Sequence, residues 1–147
     1  MEKMKRHLLR SVLSVAVVAA FAGTVQAQET LKIGLLATLE GPFAAGGQDG
    51  MRGAELKKKK KNGMAGGKKI EFIKGSSDAT PDKAVNATRK LVEQDRVQIM
   101  IGPLSGDEGI AVKNYSKSQP NITFINGSSG AQATTLSDPS TNFYRFN

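Results

Sequence analysis

Four short apolar segments punctuate the chain after residue 28. Residues 31–37 (LKIGLLA), 69–74 (KIEFIK), 97–101 (VQIMI) and 122–125 (ITFI) are mostly rich in β-branched side chains and bounded by Gly, Asn or Pro, which predicts strands. The stretches between them are longer and more polar. In residues 81–93, Ala84, Ala87, Thr88 and Leu91 recur at helical spacing, with Thr80 at the cap position, Pro81 in the first turn and Asp82 at the positive end. A second helix is predicted from near Gln48 to a stop at Asn62 and Gly63, and a third from an Asp107 cap to about Ser118. Beyond Gly127, a helical turn is expected at residues 131–136, a turn at 137–140 and a fifth strand at 143–146. Alternation of this kind builds βαβ units, so the expected fold is α/β, a parallel sheet flanked by helices.

Residues 1–27 follow a different pattern. Lys3, Lys5, Arg6 and Arg10 precede a small apolar core at residues 11–23, and Val25 and Ala27 place small residues before a cut. This is the layout of a secretory signal peptide cleaved after Ala27, since a spanning helix needs about 20 apolar residues. With no cysteine to carry a lipid, the expected destination is the periplasm in soluble form, and residues 28–147 form the domain.

Composition removes several chemistries. The absence of cysteine excludes disulfide scaffolds, thiolate metal sites and Cys nucleophiles, and His7 is the single histidine. No cofactor and no catalysis on a ligand are expected. Residues 28–147 hold 17 basic and 12 acidic side chains, and five of the basic ones are the run at residues 57–61. The basic character is therefore local, which argues against nucleic-acid binding, where cations spread over a face. The run also creates a conflict. Continuing the helical period from Met51 and Ala54 places Lys58 and Lys61 or Asn62 where apolar residues would pack on the sheet. Either those stems lie along the apolar layer with their ammonium groups reaching water, or the last turn and a half frays.

In an open parallel sheet, ligands gather at the carboxyl ends of the strands. Four loops are predicted there, at residues 38–47, 75–80, 102–106 and 126–130. Their glycines let backbone approach a ligand, and their serines and helix-start N–H groups suit an anion. Ser128 and Ser129 can equally be helix caps. Asp107 and Glu108 are better read as partners of a helix dipole than as an acid and base pair, and Asp78 as a turn former. The glycines Gly41, Gly46 and Gly47 lack the spacing of a phosphate-binding or dinucleotide motif.

The succession Lys32-Ile33-Gly34-Leu35-Leu36, Gly41-Pro42, Arg52-Gly53-Ala54-Glu55-Leu56, Ile101-Gly102-Pro103-Leu104-Ser105 and Asn126-Gly127-Ser128-Ser129-Gly130, closing on Phe143-Tyr144-Arg145-Phe146-Asn147, resembles the substrate-binding proteins of branched-chain amino acid ABC transporters. The resemblance implies the first lobe, in part, of a type I periplasmic binding protein fold, whose relatives go on to complete that lobe and build a second. It implies an amino acid or similar small molecule as ligand and an inner-membrane ABC permease complex as partner. Branched-chain amino acids lead, with other amino acids, amides, urea and small aromatic acids behind. Carried over by position, the ligand-binding residues are Leu104, Ser105 and Gly106, then Gly127, Ser128 and Ser129. Gly106 stands where the family often has a second hydroxyl, so a backbone contact is expected there, and Gly46 stands where an aromatic can occur. A ligand-sensing receptor lobe is the rival reading.

Overall fold

The computed structural model describes residues 28–146, and the leader expected over residues 1–27 lies outside the described residues. The elements run β1 (Thr30–Thr38), a 3-10 turn (Gly41–Phe43), α1 (Ala44–Lys60), β2 (Met64–Ala65), β3 (Lys68–Ser77), α2 (Pro81–Arg89), β4 (Ile99–Ile101), α3 (Gly106–Ser116), β5 (Thr123–Asn126), a 3-10 turn (Gln132–Thr134) and β6 (Phe143–Arg145). Among the described residues they form one sheet in the order β2-β3-β1-β4-β5-β6, parallel except for β2. The α/β parallel sheet expected from the alternation is present.

Side-chain alternation along β1 divides the core into two layers. Leu36 packs with Ala84, Leu91, Met100, Val112 and Phe124 on the face covered by α2 and α3. Ile33 and Leu35 point the other way, against Met51 of α1. The α2 face is the more deeply sealed, with Ala84, Leu91, Val97, Val112 and Phe124 all at most 1% exposed. On the α1 face, burial decays along one register row. Leu35 is buried, its partner Ile101 and the next residue Ile125 are half-buried, and Tyr144 at the row's end is exposed, because α1 lies over the β3–β1 side of the sheet.

Several boundaries differ from expectation, each for a tertiary reason. Strand β3 runs through Gly75, Ser76 and Ser77, which composition assigned to a loop, because its pairing with β1 continues residue for residue to Thr38 opposite Ser77. Helix α1 begins four residues before Gln48. Helix α2 ends near Glu93 as expected, but after Arg89 it does so by widening into a π-helical turn, Lys90–Gln94, that buries Leu91 and Val92. Val97 lies outside β4, its N–H bound to the Leu91 carbonyl. Strand β2 went unpredicted. It forms a hairpin with β3 across Gly66 and Gly67, both at positive φ, the geometry of a mirror-image two-residue turn.

The lysine run is helical through Lys60 rather than frayed. Lys58 is half-buried, with its Nζ 5.1 Å from the centroid of the Phe72 ring and 3.7 Å from Glu55 Oε2. The stem therefore lies on the sheet while the charge stays partnered, and Lys57, Lys59 and Lys60 face solvent.

Two glycines of α1 have opposite demands. A Cβ on Gly47 would overlap the carbonyl of Thr38, whereas one on Gly53 would meet nothing within 4 Å. Gly47→Ala is expected to destabilise the fold by about 3 kcal/mol or more through overpacking against backbone. Gly53→Ala is expected to stabilise it by roughly 0.5–1 kcal/mol, since glycine weakens a helix interior. Denaturant midpoints of the two variants should move in opposite directions.

Candidate functional site

The carboxyl ends of β1, β4 and β5 open onto a common cleft of about 470 Å³, counting its solvent-open part. Its floor is Leu35, Leu36 and Ile101, and one wall is the glycine-rich start of α1, where Gly46 and Gly50 leave room that side chains would fill and Gly47 lets the helix close on Thr38. Met51 and Ala54 extend that wall downward, and Leu104, Gly127 and Ser128 form the rim. No acidic or basic residue is among those lining it. A second hollow adjoins it between Phe43, Gly46, Leu104, Ser105 and Gly106.

Five of the six residues expected at the site stand on these two surfaces. Leu104 lines both, Gly127 and Ser128 the cleft, and Ser105 and Gly106 the hollow. Ser129 is different. Its N–H donates to Asn126 Oδ1 at 3.1 Å and its carbonyl accepts from Asn126 Nδ2 at 2.8 Å, so the buried Asn126 side chain closes this loop on itself. The Ser129 hydroxyl is fully buried with no hydrogen-bond partner among the described residues. It lies where a Cβ on Gly109 would collide with it, facing α3 rather than the cleft. Ser128 N–H donates to the Pro103 carbonyl at 3.4 Å, tying the two rim loops together.

The cap of α3 is Ser105, not Asp107. Ser105 Oγ accepts from the Glu108 N–H at 3.4 Å while the Glu108 carboxylate accepts from the Ser105 N–H at 3.1 Å, a reciprocal capping box. The Ser-x-x-Glu spacing was there to be read in the sequence. What it could not disclose is that Glu108 is completely buried and also accepts from Thr38 Oγ1 at 3.1 Å. Ser77 Oγ in turn donates to Thr38 Oγ1 at 3.4 Å, so one carboxylate gathers the ends of β3, β1 and the β4–α3 loop. Ser105 Oγ also donates to the Ala79 carbonyl at 3.4 Å. Glu108 Oε1 is buried without a partner among the described residues, the Glu108 and Gly109 N–H groups are taken by Ser105, and the N–H groups of Gly106 and Asp107 have no partner within a helix. These two N–H groups can donate to an anion, while Asp107 and Glu108 in the same turn already answer the helix dipole.

Asp78 is the turn former expected. Its Oδ1 accepts from the Thr80 hydroxyl at 2.6 Å and from the Thr80 N–H at 3.1 Å, and these hydrogen bonds hold its carboxyl below the ordinary aspartate range. Thr80 occupies the cap position of α2 without bonding the helix through its side chain, because its hydroxyl is committed to Asp78.

A family model described as periplasmic binding protein matches residues 30–147. The chain belongs to the periplasmic binding protein family. It is 30% identical over 116 residues to the Leu/Ile/Val-binding protein homolog 7 of Brucella suis biovar 1 (strain 1330), covering 78% of this chain and 28% of that protein. Among solved structures, an ABC transporter substrate-binding protein from Sphaerobacter thermophilus superposes with a TM-score of 0.73 at 32% identity, over 80% of this chain and 32% of the other. An ABC transporter solute binding protein from R. palustris, in complex with benzoate, gives 0.73 at 29% identity over 79% and 32%. The chain thus spans under a third of the length of these relatives. Its fold is that of part of a lobe of a type I periplasmic binding protein, and the family name carries a periplasmic location.

Glu108 is the positioning group of this periplasmic binding protein lobe. Glu108→Ala strands the Thr38 hydroxyl and the Ser105 N–H and is expected to cost about 3 kcal/mol, whereas Glu108→Gln keeps an acceptor and should cost less than half of that. Urea midpoints of the two variants check the order.

Proposed function

We propose that this chain is the ligand-facing lobe of the solute-binding component of an ABC importer. Exported by its leader and cleaved after Ala27, it works in the periplasm, taking up a small carboxylate with an apolar body and delivering it to an inner-membrane permease complex. The observation that carries this reading is the apolar cleft at the carboxyl ends of β1, β4 and β5, with the first N–H groups of α3 at its edge. The carboxylate would be held by the Ser105 and Gly106 region and by Gly127 and Ser128, while Ser129, bonded to Asn126, only shapes their loop, and Leu104 would pack on the apolar part. Branched-chain amino acids and related compounds are the leading ligands. Supporting them is the family and the Leu/Ile/Val-binding relative.

Ligand and permease work without covalent chemistry. Binding in a two-lobed parent acts by population shift, because a ligand touching both lobes favours their closed arrangement by the difference in its contacts with the two states. With one lobe, half the ligand stays in water.

A second reading has its own support. Among the described residues no carboxylate lines the cleft to face an amino acid's ammonium group, and the R. palustris solute binding protein is in complex with an aromatic acid, benzoate. Titration of the 147-residue chain with L-leucine, L-isoleucine and benzoate, followed by amide NMR, separates the two. The expected result is weak binding, with Kd near or above about 1 mM, and shifts at Leu104, Gly106, Gly127 and Ser128. Sub-micromolar leucine binding by this chain alone would overturn the two-lobe reading. Shifts confined to other surfaces would overturn the site. The ligand whose saturation comes first decides between amino acid and aromatic acid.

A further inference from the structure

The lysine run has no part in that function. Helix α1 begins at the cleft, and its 17 residues carry the chain about 25 Å to the opposite pole, where residues 57–61 lie and the β2–β3 hairpin adds Lys68 and Lys69. Of these seven lysines, Lys58 pairs with Glu55 and Lys68 with Glu29, at 3.7 and 2.7 Å. Lys57, Lys59, Lys60, Lys61 and Lys69 are exposed and pair with no carboxylate among the described residues. Seven lysines against Glu29, Glu55 and Glu71, the last lining a hollow with Lys58 and Lys69, leave a surplus of four positive charges at this pole, most of the surplus of all residues 28–147. The rest of the domain is close to neutral in sum, so the molecule is electrically polarised along α1.

Attraction to the negative end of the α1 dipole accounts for lysines in its last turn. It does not account for Lys69 on the neighbouring hairpin, nor for Leu56, which is 54% exposed. Leu56 precedes Lys59 and Lys60 by three and four residues, which puts it on their helix face. An exposed leucine among long-stemmed ammonium groups matches the chemistry of a bilayer interface, where apolar groups enter at headgroup level and cations stay with the phosphates. Lysines are mobile point charges, suited to a diffuse anionic surface, while discrete phosphate recognition favours the guanidinium fork. The chain also enters the domain here. The Lys69 N–H donates to the Glu29 carbonyl at 3.0 Å and Thr30 lies opposite Lys69, so the described residues begin at the same pole.

We propose that this pole is a docking surface for an anionic phospholipid bilayer. Lys57, Lys59, Lys60, Lys61 and Lys69 lie against the headgroups, Leu56 enters between them, and the cleft at the other end of α1 points away from the lipid.

Vesicle co-sedimentation of the full chain tests this, using phosphatidylcholine vesicles with about 30 mol% phosphatidylglycerol and phosphatidylcholine alone, at low and physiological salt. The wild-type chain should bind the anionic vesicles in a salt-sensitive way. Replacing Lys57, Lys59, Lys60, Lys61 and Lys69 together by Gln should weaken that binding at least about tenfold. A control with Lys83, Lys90, Arg96, Lys117 and Arg145 replaced by Gln makes the same charge change elsewhere and should lose much less. The leader is present in all three chains, so its own affinity for lipid cancels, and circular dichroism melts establish that the variants are folded. Equal losses in the two variants, or no loss in the first, overturn the proposal, as does equal binding to both kinds of vesicle. A complex with duplex DNA that depends on the five lysines, without vesicle binding, assigns the surface to nucleic acid and overturns it too.

Discussion

Three segments close on the last residues of β1, and the geometry of the candidate site depends on how tightly they do so. The first turn of α1 presses on the Thr38 carbonyl so closely that residue 47 has no room for a Cβ. The β4–α3 loop does the same at the Leu36 carbonyl, where Gly102 adopts a φ of 125° that side-chain-bearing residues avoid. From the third side, the buried Glu108 carboxylate takes the Thr38 hydroxyl. A central parallel strand paired on both sides cannot move aside to relieve any of these contacts. The cleft is the space left once α1 and the β4–α3 loop have been drawn against β1, and its width is set by backbone contacts rather than by adjustable side chains.

This explains which parts of the molecule were legible in the sequence. The strands with continuous apolar runs, 31–37 and 122–125, were found to within a residue or so, because their burial on two faces is written in their composition. The end of β3 was missed because Gly75, Ser76 and Ser77 have loop composition. They are a strand only through β1, and Gly75 is small there because Leu91 sits over it. The early start of α1 was missed for a related reason. Gly46 and Gly47 are poor helix formers by propensity, and Gly47 serves the approach to Thr38, a contact that exists only in the folded chain.

The site was legible as a set of loops but not as a set of side-chain directions. Position along the chain brought Leu104, Ser105, Gly106, Gly127 and Ser128 to one end of the sheet. It could not say that Ser129 turns its hydroxyl inward, a consequence of the Asn126 side chain bonding both the N–H and the carbonyl of residue 129. The Ser-x-x-Glu spacing of Ser105 and Glu108 could have ranked Ser105 above Asp107 as the cap. Both residue types cap helices, and the deciding partner, Glu108, is held in place by Thr38, 70 positions earlier in the chain.

The lysine run shows how such a conflict between pattern and composition is resolved. A helix facing a sheet needs an apolar stripe, and Lys58 supplies one by laying its methylenes along Phe72 while Glu55 answers its charge. Glu55 is shared, since its other oxygen lies 3.3 Å from Lys74 on β3, so a single carboxylate joins helix and sheet at that level. Once Lys58 is accommodated, its neighbours on the helix are obliged to face outward. The same packing that keeps α1 helical therefore concentrates unpaired positive charge at the end of the molecule farthest from the cleft. In consequence the uncharged cleft and the cationic pole are separated by the length of one helix, and an anion approaching the protein meets two chemically distinct ends.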